Sequence, residues 1–216
     1  MNRYFFIVGY PRSRTAWLAN LLTYGNTFCH HEALHNAPHA RDLLSLMEVT
    51  PAEYVGDADP SLPLFAEGIL REFRGARFVY IHRDKATARS SIREFLLRNP
   101  LKPTQVLSES HIEMSFDWYT WKLEALHSQL LAGGQQMIDV NYEDLSTVSS
   151  LNQLNAFCTG RDFESSAYDL TRVTMLIQMN VTADTTKYVE NIGSPVTQQL
   201  IRKFTAEMRK ELCLGE

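Results

Sequence analysis

The stretch FFIVGYPRSRTAWLANLL, residues 5–22, joins two patterns that together decide the fold class. It begins with a short, continuous apolar run, which is typical of a strand that is covered on both faces of a parallel sheet. It ends with apolar residues at the spacing of one helical face. Arg12 and Arg14 lie between the two patterns, so two arginines stand where a buried strand turns into a helix.

The same alternation of strand-like and helix-like segments continues along the chain. Further strands are predicted at TFCH, EYVGD, ARFVYIH and QQMIDVN, and a long helix is predicted at 111–132. Strands that alternate with helices indicate an α/β fold with a mostly parallel central sheet flanked by helices. No linker or repeat interrupts the pattern, which predicts a single domain over residues 1–216. A terminal amphipathic helix is predicted at 194–213, whereas 160–193 has no clear pattern.

Composition and charge narrow the possible functions. The 216 residues are 44% hydrophobic, which is enough for one sizeable core. The net charge of -4 gives no general attraction to nucleic acid, so an anion would need a local site. No segment reaches the roughly 18 apolar residues of a membrane span, and residues 1–9 do not resemble a signal peptide. Three widely spaced cysteines, Cys29, Cys158 and Cys213, are typical of reduced core thiols, and we expect a cytoplasmic protein.

The two arginines suggest such a local anion site. Anions bind at helix N-termini that follow the carboxyl ends of parallel strands, where backbone N–H groups and the helix dipole favour negative charge. Arg12 and Arg14 would add two fixed charges and bidentate donors for phosphate or sulfate oxygens. The alternative is a surface turn whose arginines pair with nearby carboxylates.

The loop departs from the phosphate loop of nucleotide kinases, G-x-x-x-x-G-K-[ST]. Counted from Gly9, Arg14 stands at the second glycine, Thr15 at the lysine and Ala16 at the hydroxyl residue that holds Mg²⁺. Phosphoryl transfer through a Mg²⁺ complex uses that lysine and that hydroxyl group, and both are missing here. The loop is better suited to an anion that needs no metal.

Residues 11–18, PRSRTAWL, resemble the 5'-phosphosulfate loop P-[KR]-S-G-T-x-W-L of sulfotransferases that use 3'-phosphoadenosine 5'-phosphosulfate (PAPS). The resemblance implies a P-loop NTPase-like sulfotransferase architecture. It also implies that Arg12 touches the transferring sulfuryl group and that Trp17 lies against adenine. Arg14 departs from the family glycine: it either tolerates the local backbone or indicates a distorted loop. The residues implied to cradle the 5'-phosphate are Ser13, Arg14, Thr15 and Ala16.

A second family motif places an arginine at the end of a central strand and a serine eight residues later, both on the 3'-phosphate. FVYIHRDKATARSSI puts Arg83 and Ser91 at that spacing. The alternative is a solvated arginine near a helix start and a serine that bonds to its own helical turn. A third resemblance, IDVNYEDL at 138–145, implies a structural role.

The stretch CHHEALH, residues 29–35, supplies candidates for a base near the acceptor oxygen. The resemblance implies that Glu32 is the base, with His31 as the second choice. His31-Glu32-x-x-His35 also spells the zinc-peptidase pentapeptide. That motif requires the middle of a helix, whereas this stretch follows a predicted strand and is followed by a proline, so we expect no metal.

The predicted function is therefore sulfonate transfer from PAPS to a hydroxyl or amine, without a metal. Two alternatives remain at this level: a non-catalytic binder of 3',5'-bisphosphoadenosine (PAP), and a P-loop nucleotide kinase-like enzyme. The acceptor, whether small molecule, glycan or peptide, has no motif; its pocket would be built from variable loops such as 36–62 and 99–112. Trp118, Tyr119 and Trp121 could line that pocket, although such helical spacing is more typical of core.

Overall fold

The structure, a computed structural model, describes residues 3–23, 25–35, 37, 39–98 and 109–162. Within these ranges, strands and helices alternate as the sequence predicts. The strands are β1 (Tyr4–Gly9), β2 (Thr27–His31), β3 (Tyr54–Ala58), β4 (Arg77–His82) and β5 (Gln136–Asn141). The helices are α1 (Thr15–Leu22), α2 (Ala40–Val49), α3 (Ala66–Glu72), α4 (Lys85–Arg98), α5 (Glu109–Ala132) and α6 (Val148–Thr159). The predictions for 163–216 lie outside the described residues.

The five strands form one sheet in the order β2-β3-β1-β4-β5, and every pairing is parallel. From β1 the chain leads to β2 on one side of the sheet, whereas from β4 it leads to β5 on the other side. These two connections diverge, which opens a crevice at the carboxyl ends of β1 and β4. The predicted α/β fold with a parallel sheet is confirmed.

Alternation along β1 separates the two faces of the sheet. Phe5 and Ile7 pack in the core layer that includes α1 and α6 residues, whereas Phe6 and Val8 pack in the layer of α2, α3 and α5. All four side chains are fully buried. Both faces of the sheet are thus covered by helices, which explains why β1 is a continuous apolar run.

Two glycines allow close approaches to β1. A Cβ at Gly56 of β3 would lie 2.1 Å from the ring of Phe5, so only glycine leaves room for that ring. A Cβ at Gly9 would lie 3.0 Å from Cβ of Ile81, which is tighter than most packed side chains allow. The end of β1 therefore lies directly against β4 at the crevice.

The segment LPLFAEGILREFRG, predicted as one helix, is divided in the structure. Leu62–Phe65 forms a 3₁₀ turn, and α3 begins only at Ala66. Pro63 lies at the start of the 3₁₀ turn, where its missing N–H costs no hydrogen bond.

Cys29 and Cys158 are buried free thiols. Among the described helices, none has the length and apolar character that crossing a membrane requires.

Candidate active site

The loop after β1 has an unusual backbone. Arg12 and Arg14 have φ values of 69° and 63°, in the left-handed region that costs a residue with a side chain about 1–2 kcal/mol. Arg14 is the residue immediately before α1, and it holds the conformation that glycine favours. The family glycine is thus replaced by an arginine that keeps a left-handed backbone, so the first of the two readings of Arg14 agrees with the structure.

Ser13 is the buried residue of this loop. Its N–H donates to the carbonyl of Tyr10 at 3.0 Å, which closes a tight turn, and its side chain is fully buried. The Ser13 hydroxyl has no hydrogen-bond partner among the described residues. Of the loop residues at 11–17, Ser13 alone does not line the cavity described next.

A cavity of about 440 Å³ occupies the crevice between the ends of β1 and β4. Such a volume is in the range of small-molecule and nucleotide sites. Except for Ser13, every residue that the sequence singles out for the donor or the base lines this cavity. They are Arg12, Arg14, Thr15, Ala16, Trp17, His31, Glu32, Arg83 and Ser91.

Three guanidinium groups converge on one side of the cavity. Arg83 donates a hydrogen bond from Nη1 to the carbonyl of Arg12, which ties the end of β4 to the loop after β1. The guanidinium carbons of Arg83 and Arg14 lie 4.3 and 4.8 Å from the ring centre of Tyr142, and that of Arg12 lies 4.9 Å from the ring centre of Phe95. The aromatic rings hold the arginines in place by cation–π contacts.

These arginines are available for an anion. No carboxylate in the described ranges forms an ion pair with Arg12, Arg14 or Arg83. The Nε atoms of Arg14 and Arg83 are buried and have no hydrogen-bond partner among the described residues. Burial lowers the pKa of Arg83, and the charges of Arg12 and Arg14 lower it further. Unpartnered buried donors in a positively charged cavity fit phosphate or sulfate oxygens.

Glu32 lies across the cavity from the arginines, immediately after β2. Its backbone is left-handed, with φ 54°, and its side chain is 12% exposed. Its Oε1 lies 3.7 Å from Nε2 of His31 and its Oε2 lies 3.4 Å from Nδ1 of His35. Burial, together with the negative charge of Asp59, raises the pKa of Glu32 to about 8. A carboxylate in this environment is a stronger base than an exposed one.

The neighbouring histidines differ in their environments. Burial lowers the pKa of His31 to about 4, so its ring is neutral at pH 7; its Nε2 lies 3.5 Å from Oγ1 of Thr15. His30 does not line the cavity, and its Nε2 instead lies 3.0 Å from Oγ1 of Thr50. Of the two bases considered, Glu32 has the pKa closer to neutral pH.

Two buried carboxylates hold the turn that follows Glu32. Asp57 accepts from the N–H of Ala33 and Asp59 from the N–H of Leu34, each at 3.3 Å. Burial raises the pKa of Asp57, and the charge of Asp59 adds to the effect. These residues were not predicted as part of the site. The signal was present, because YVGDAD places two aspartates on one face of an otherwise apolar strand.

Two tyrosines also line the cavity. Tyr119 was named in the sequence analysis as a possible lining residue of the acceptor pocket, with core as the more typical role. The hydroxyl of Tyr119 lies 2.8 Å from the carbonyl of Gly9 and 2.5 Å from that of Pro60, so α5 braces the ends of β1 and β3. Tyr142 belongs to the YEDL stretch, which the sequence analysis interpreted as structural. The aromatic set of α5 is mixed: Trp118 is buried in the core, whereas Trp121 is 52% exposed.

The zinc-peptidase arrangement does not form. His31 ends β2, Glu32 follows it with a left-handed backbone, and His35 ends a three-residue 3₁₀ turn. The two histidines therefore do not lie one turn apart on an α-helix, as that motif requires.

Comparisons with solved structures agree with the fold. A sulfotransferase from Alicyclobacillus acidocaldarius is 15% identical, with a TM-score of 0.54, and the alignment covers 82% of this chain and 92% of that one. Mouse sulfotransferase SULT7A1 complexed with PAP is 14% identical, with a TM-score of 0.58, and the alignment covers 97% of this chain and 85% of that one. A search of curated proteins finds no match.

The family assignment rests on a sequence comparison. The model of the Sulfotransferase family matches residues 40–159, which is more than half of the chain. That range includes Arg83 and Ser91 but not the loop after β1, so the loop resemblance is separate support. Together with a parallel sheet whose arginine-lined crevice lies at the carboxyl ends of β1 and β4, this match shows that the chain belongs to the sulfotransferase family.

Proposed function

We propose that this enzyme transfers a sulfonate group from PAPS to a hydroxyl or amine of its acceptor, by in-line displacement and without a metal. The observation that carries the proposal is the convergence of Arg12, Arg14 and Arg83 on a cavity whose other wall holds Glu32. The donor provides two separate anionic groups, the 3'-phosphate and the 5'-phosphosulfate. The site provides hydrogen-bond donors for these groups at two places: on the loop after β1, and at the end of β4 together with α4.

The 3'-phosphate would bind Arg83 and Ser91. Arg83 follows β4, and Ser91 lies about two helical turns into the cavity-lining part of α4. The guanidinium offers charge-assisted bonds, and the hydroxyl offers one neutral donor. Because Arg83 is already tied to the carbonyl of Arg12, its position requires little ordering when the nucleotide binds.

The 5'-phosphosulfate would lie on the loop after β1. Thr15 and Ala16 begin α1, whose first N–H groups have no partner within the helix. Arg12 would stabilise negative charge that develops on the bridging oxygen as the S–O bond breaks. Trp17 lines the same cavity and would contact the adenine ring. The absence of a metal from the proposal rests on Ala16, which stands where phosphate-loop kinases place their Mg²⁺-binding hydroxyl.

Glu32 would accept the proton of the acceptor as its oxygen or nitrogen attacks sulfur. Its carboxylate reaches the cavity because Asp57 and Asp59 fix the turn that follows it. The raised pKa of Glu32 matches what a general base needs near neutral pH. His31 is the second candidate for the base, and the acceptor could be a small molecule, a glycan or a peptide.

Calorimetry with two nucleotides tests the donor site. Adenosine 3',5'-bisphosphate and adenosine 5'-monophosphate are titrated into the full chain and into Arg83→Ala. Arg83→Ala should weaken the bisphosphate by about 1.5–3 kcal/mol and leave the monophosphate nearly unchanged, because only the first ligand carries the 3'-phosphate.

Arg89→Ala is the matched control for this experiment. Arg89 lies on the same helix α4 but pairs with Glu113 and Asp117 and does not line the cavity. Its loss should leave both affinities unchanged. Equal losses for both nucleotides in Arg83→Ala would assign Arg83 to another role, and tighter binding of ATP with Mg²⁺ than of the bisphosphate would favour the kinase-like alternative.

A transfer assay tests the reaction itself. PAPS labelled with radioactive sulfur is incubated with the enzyme and with panels of phenols, aliphatic alcohols, amines, glycans and peptides. Label should move to at least one hydroxyl or amine in the presence of a metal chelator. Bisphosphate binding without transfer to any of these acceptors would leave the binder alternative.

A further inference from the structure

Three potential metal ligands meet near the carboxyl end of β4, outside the cavity described above. His82 is the last residue of β4, His127 lies on α5, and Asp139 lies on β5. None of them lines the proposed donor site. Their ligand atoms all lie within 4.8 Å of one another. Residues from three separate elements thus point their polar atoms at one place.

The geometry is close to that of a metal site. Nε2 of His82 lies 2.6 Å and Nε2 of His127 lies 2.9 Å from the same oxygen, Oδ1 of Asp139. Around a tetrahedral Zn²⁺ with bonds of about 2.0–2.1 Å, neighbouring ligand atoms are about 3.3 Å apart. An ion would therefore require Oδ1 of Asp139 to move away from both nitrogens by roughly half an ångström. The two Nε2 atoms, which lie within 4.8 Å of each other, would adjust to the same spacing. The side chains of His82 and Asp139 are 44% and 45% exposed and can shift with little packing resistance, whereas His127 is 22% exposed and stays fixed against Tyr80.

The groups around this cluster orient the two imidazole rings and leave space for an ion. The ring centre of Tyr80 lies 4.7 Å from that of His82 and 4.3 Å from that of His127, so Tyr80 packs against both imidazoles, whose own centres are 5.5 Å apart. A surface cavity separate from the donor site is lined by His82 and His127. Glu124, one helical turn before His127, lines this cavity too. Two cationic side chains line that cavity: Lys85 pairs with Asp117 at 3.4 Å, and Arg83 donates to the carbonyl of Arg12.

We propose that His82, His127 and Asp139 bind a divalent first-row transition-metal ion, with Zn²⁺ as the best fit. Two imidazoles and one carboxylate are the donor set that suits Zn²⁺ rather than Mg²⁺ or Ca²⁺. Each neutral imidazole keeps its proton on Nδ1 and offers Nε2 to the ion. Water, or Glu124, completes the coordination.

The bound ion would tie β4, α5 and β5 together. β4 is distant in the chain from α5 and β5, which follow one another, and His82 directly precedes Arg83. A structural ion at this point would stabilise the folded state, because a preformed site does not exist in the unfolded chain. The competing account is a hydrogen-bonded clasp, in which both imidazoles donate to Asp139 and no ion binds. In that state, hydrogen bonds from His127 and His82 outweigh the effect of burial and lower the pKa of Asp139.

Titration of Zn²⁺ into the full-length, metal-free protein separates the two accounts. One Zn²⁺ per chain should bind at micromolar concentration or below, Co²⁺ should bind with the visible absorption of a four-coordinate complex, and Mg²⁺ should not compete. His127→Ala and Asp139→Asn should each weaken Zn²⁺ by on the order of 100-fold or more. Zn²⁺ should also raise the melting temperature of the wild type and not of these variants.

His111→Ala is the matched control, because His111 is exposed on the same helix α5 and lies outside the cluster. It should bind Zn²⁺ like the wild type. Circular dichroism of Asp139→Asn checks that the variant is folded. The proposal is overturned if no stoichiometric Zn²⁺ binds, or if binding survives His127→Ala. It is also overturned if His35→Ala alone abolishes binding, which would place the ion beside Glu32 instead.

Discussion

Glu32 combines three features that are each costly on their own. Its backbone is left-handed, its carboxylate is largely buried, and Asp59 adds a like charge nearby. Left-handed backbones and buried carboxylates are retained where the surrounding structure enforces them, and they cluster at functional sites. The hydrogen bonds of Asp57 and Asp59 to the following turn provide that enforcement.

The raised pKa of Glu32 predicts the pH dependence of the reaction. A general base must be deprotonated, so kcat/KM should rise with pH and level off above about 8. Glu32→Gln should lower kcat by about 10²–10⁴-fold and abolish this rise, while bisphosphate affinity stays within about twofold. His31→Ala should have a milder effect. The opposite ranking of the two variants would assign the base to histidine.

The same residue makes a separate prediction about stability. The pKa of Glu32 is about 8 in the folded chain and near its ordinary value of 4.5 in the unfolded chain, so the folded state binds the proton more tightly. The unfolding free energy should therefore fall as pH rises from 4.5 to 8. Urea unfolding at pH 9 should show Glu32→Gln to be more stable than the wild type by up to a few kcal/mol. At pH 4 the two should be similar.

The sequence located some site residues better than others. Arg12, Arg14, Arg83 and Glu32 follow directly after strands or begin helices, so their positions at the carboxyl edge could be predicted from local pattern alone. Tyr119 lies in the middle of α5 and reaches the site because that helix packs across the sheet. The direction of its side chain depends on a tertiary contact that local spacing does not specify.

At the level of elements, the contact between Gly56 of β3 and Phe5 of β1 should be sensitive to substitution. Gly56→Ala would place a methyl group 2.1 Å from a fully buried ring. Because both faces of the sheet are packed, the ring has nowhere to move, and we expect a loss of about 3 kcal/mol or more in urea unfolding.

Two further variants show whether this loss arises from crowding. Gly134→Ala adds a methyl group in open space at a positive φ, and should cost only about 1 kcal/mol. Phe5→Leu combined with Gly56→Ala should be less destabilising than the sum of the two single changes, because the smaller side chain makes room. Strict additivity would contradict the crowding account.

The elements themselves were predictable because strands and helices here follow clear local patterns. β1 and β4 are short, mostly buried apolar runs, and all five strands appear where the sequence places them. The sequence predicts one helix at 62–75, and its division into a 3₁₀ turn and α3 was not predicted. Its apolar spacing suits one helix, but the first four residues form a 3₁₀ turn, Leu62–Phe65, which packs against α5, a tertiary contact that local spacing does not specify.

For the whole molecule, the three arginines predict that anions stabilise the fold. Like charges held close together disfavour the unliganded state, and a bisphosphate nucleotide would neutralise them. At 100 times its dissociation constant, adenosine 3',5'-bisphosphate should add about 2.7 kcal/mol, or about 5–10 °C in melting temperature for a chain of this size. Differential scanning fluorimetry measures this shift.

Arg12→Ala should reduce the shift, whereas Arg71→Ala should not. Arg71 is exposed and pairs with Glu72, outside the donor cavity. If both variants respond like the wild type, Arg12 does not bind the nucleotide.

The central position of β1 has a consequence for how the protein is made. Tyr4 pairs with Val55 and Phe5 with Arg77, so β1 leaves the ribosome well before either partner strand exists. Until then, its apolar side chains have no core to enter, and local contacts cannot complete the sheet. We expect nascent chains that end before β4 to remain bound by chaperones, and release to coincide with synthesis of the strand that brings Arg83 to the loop.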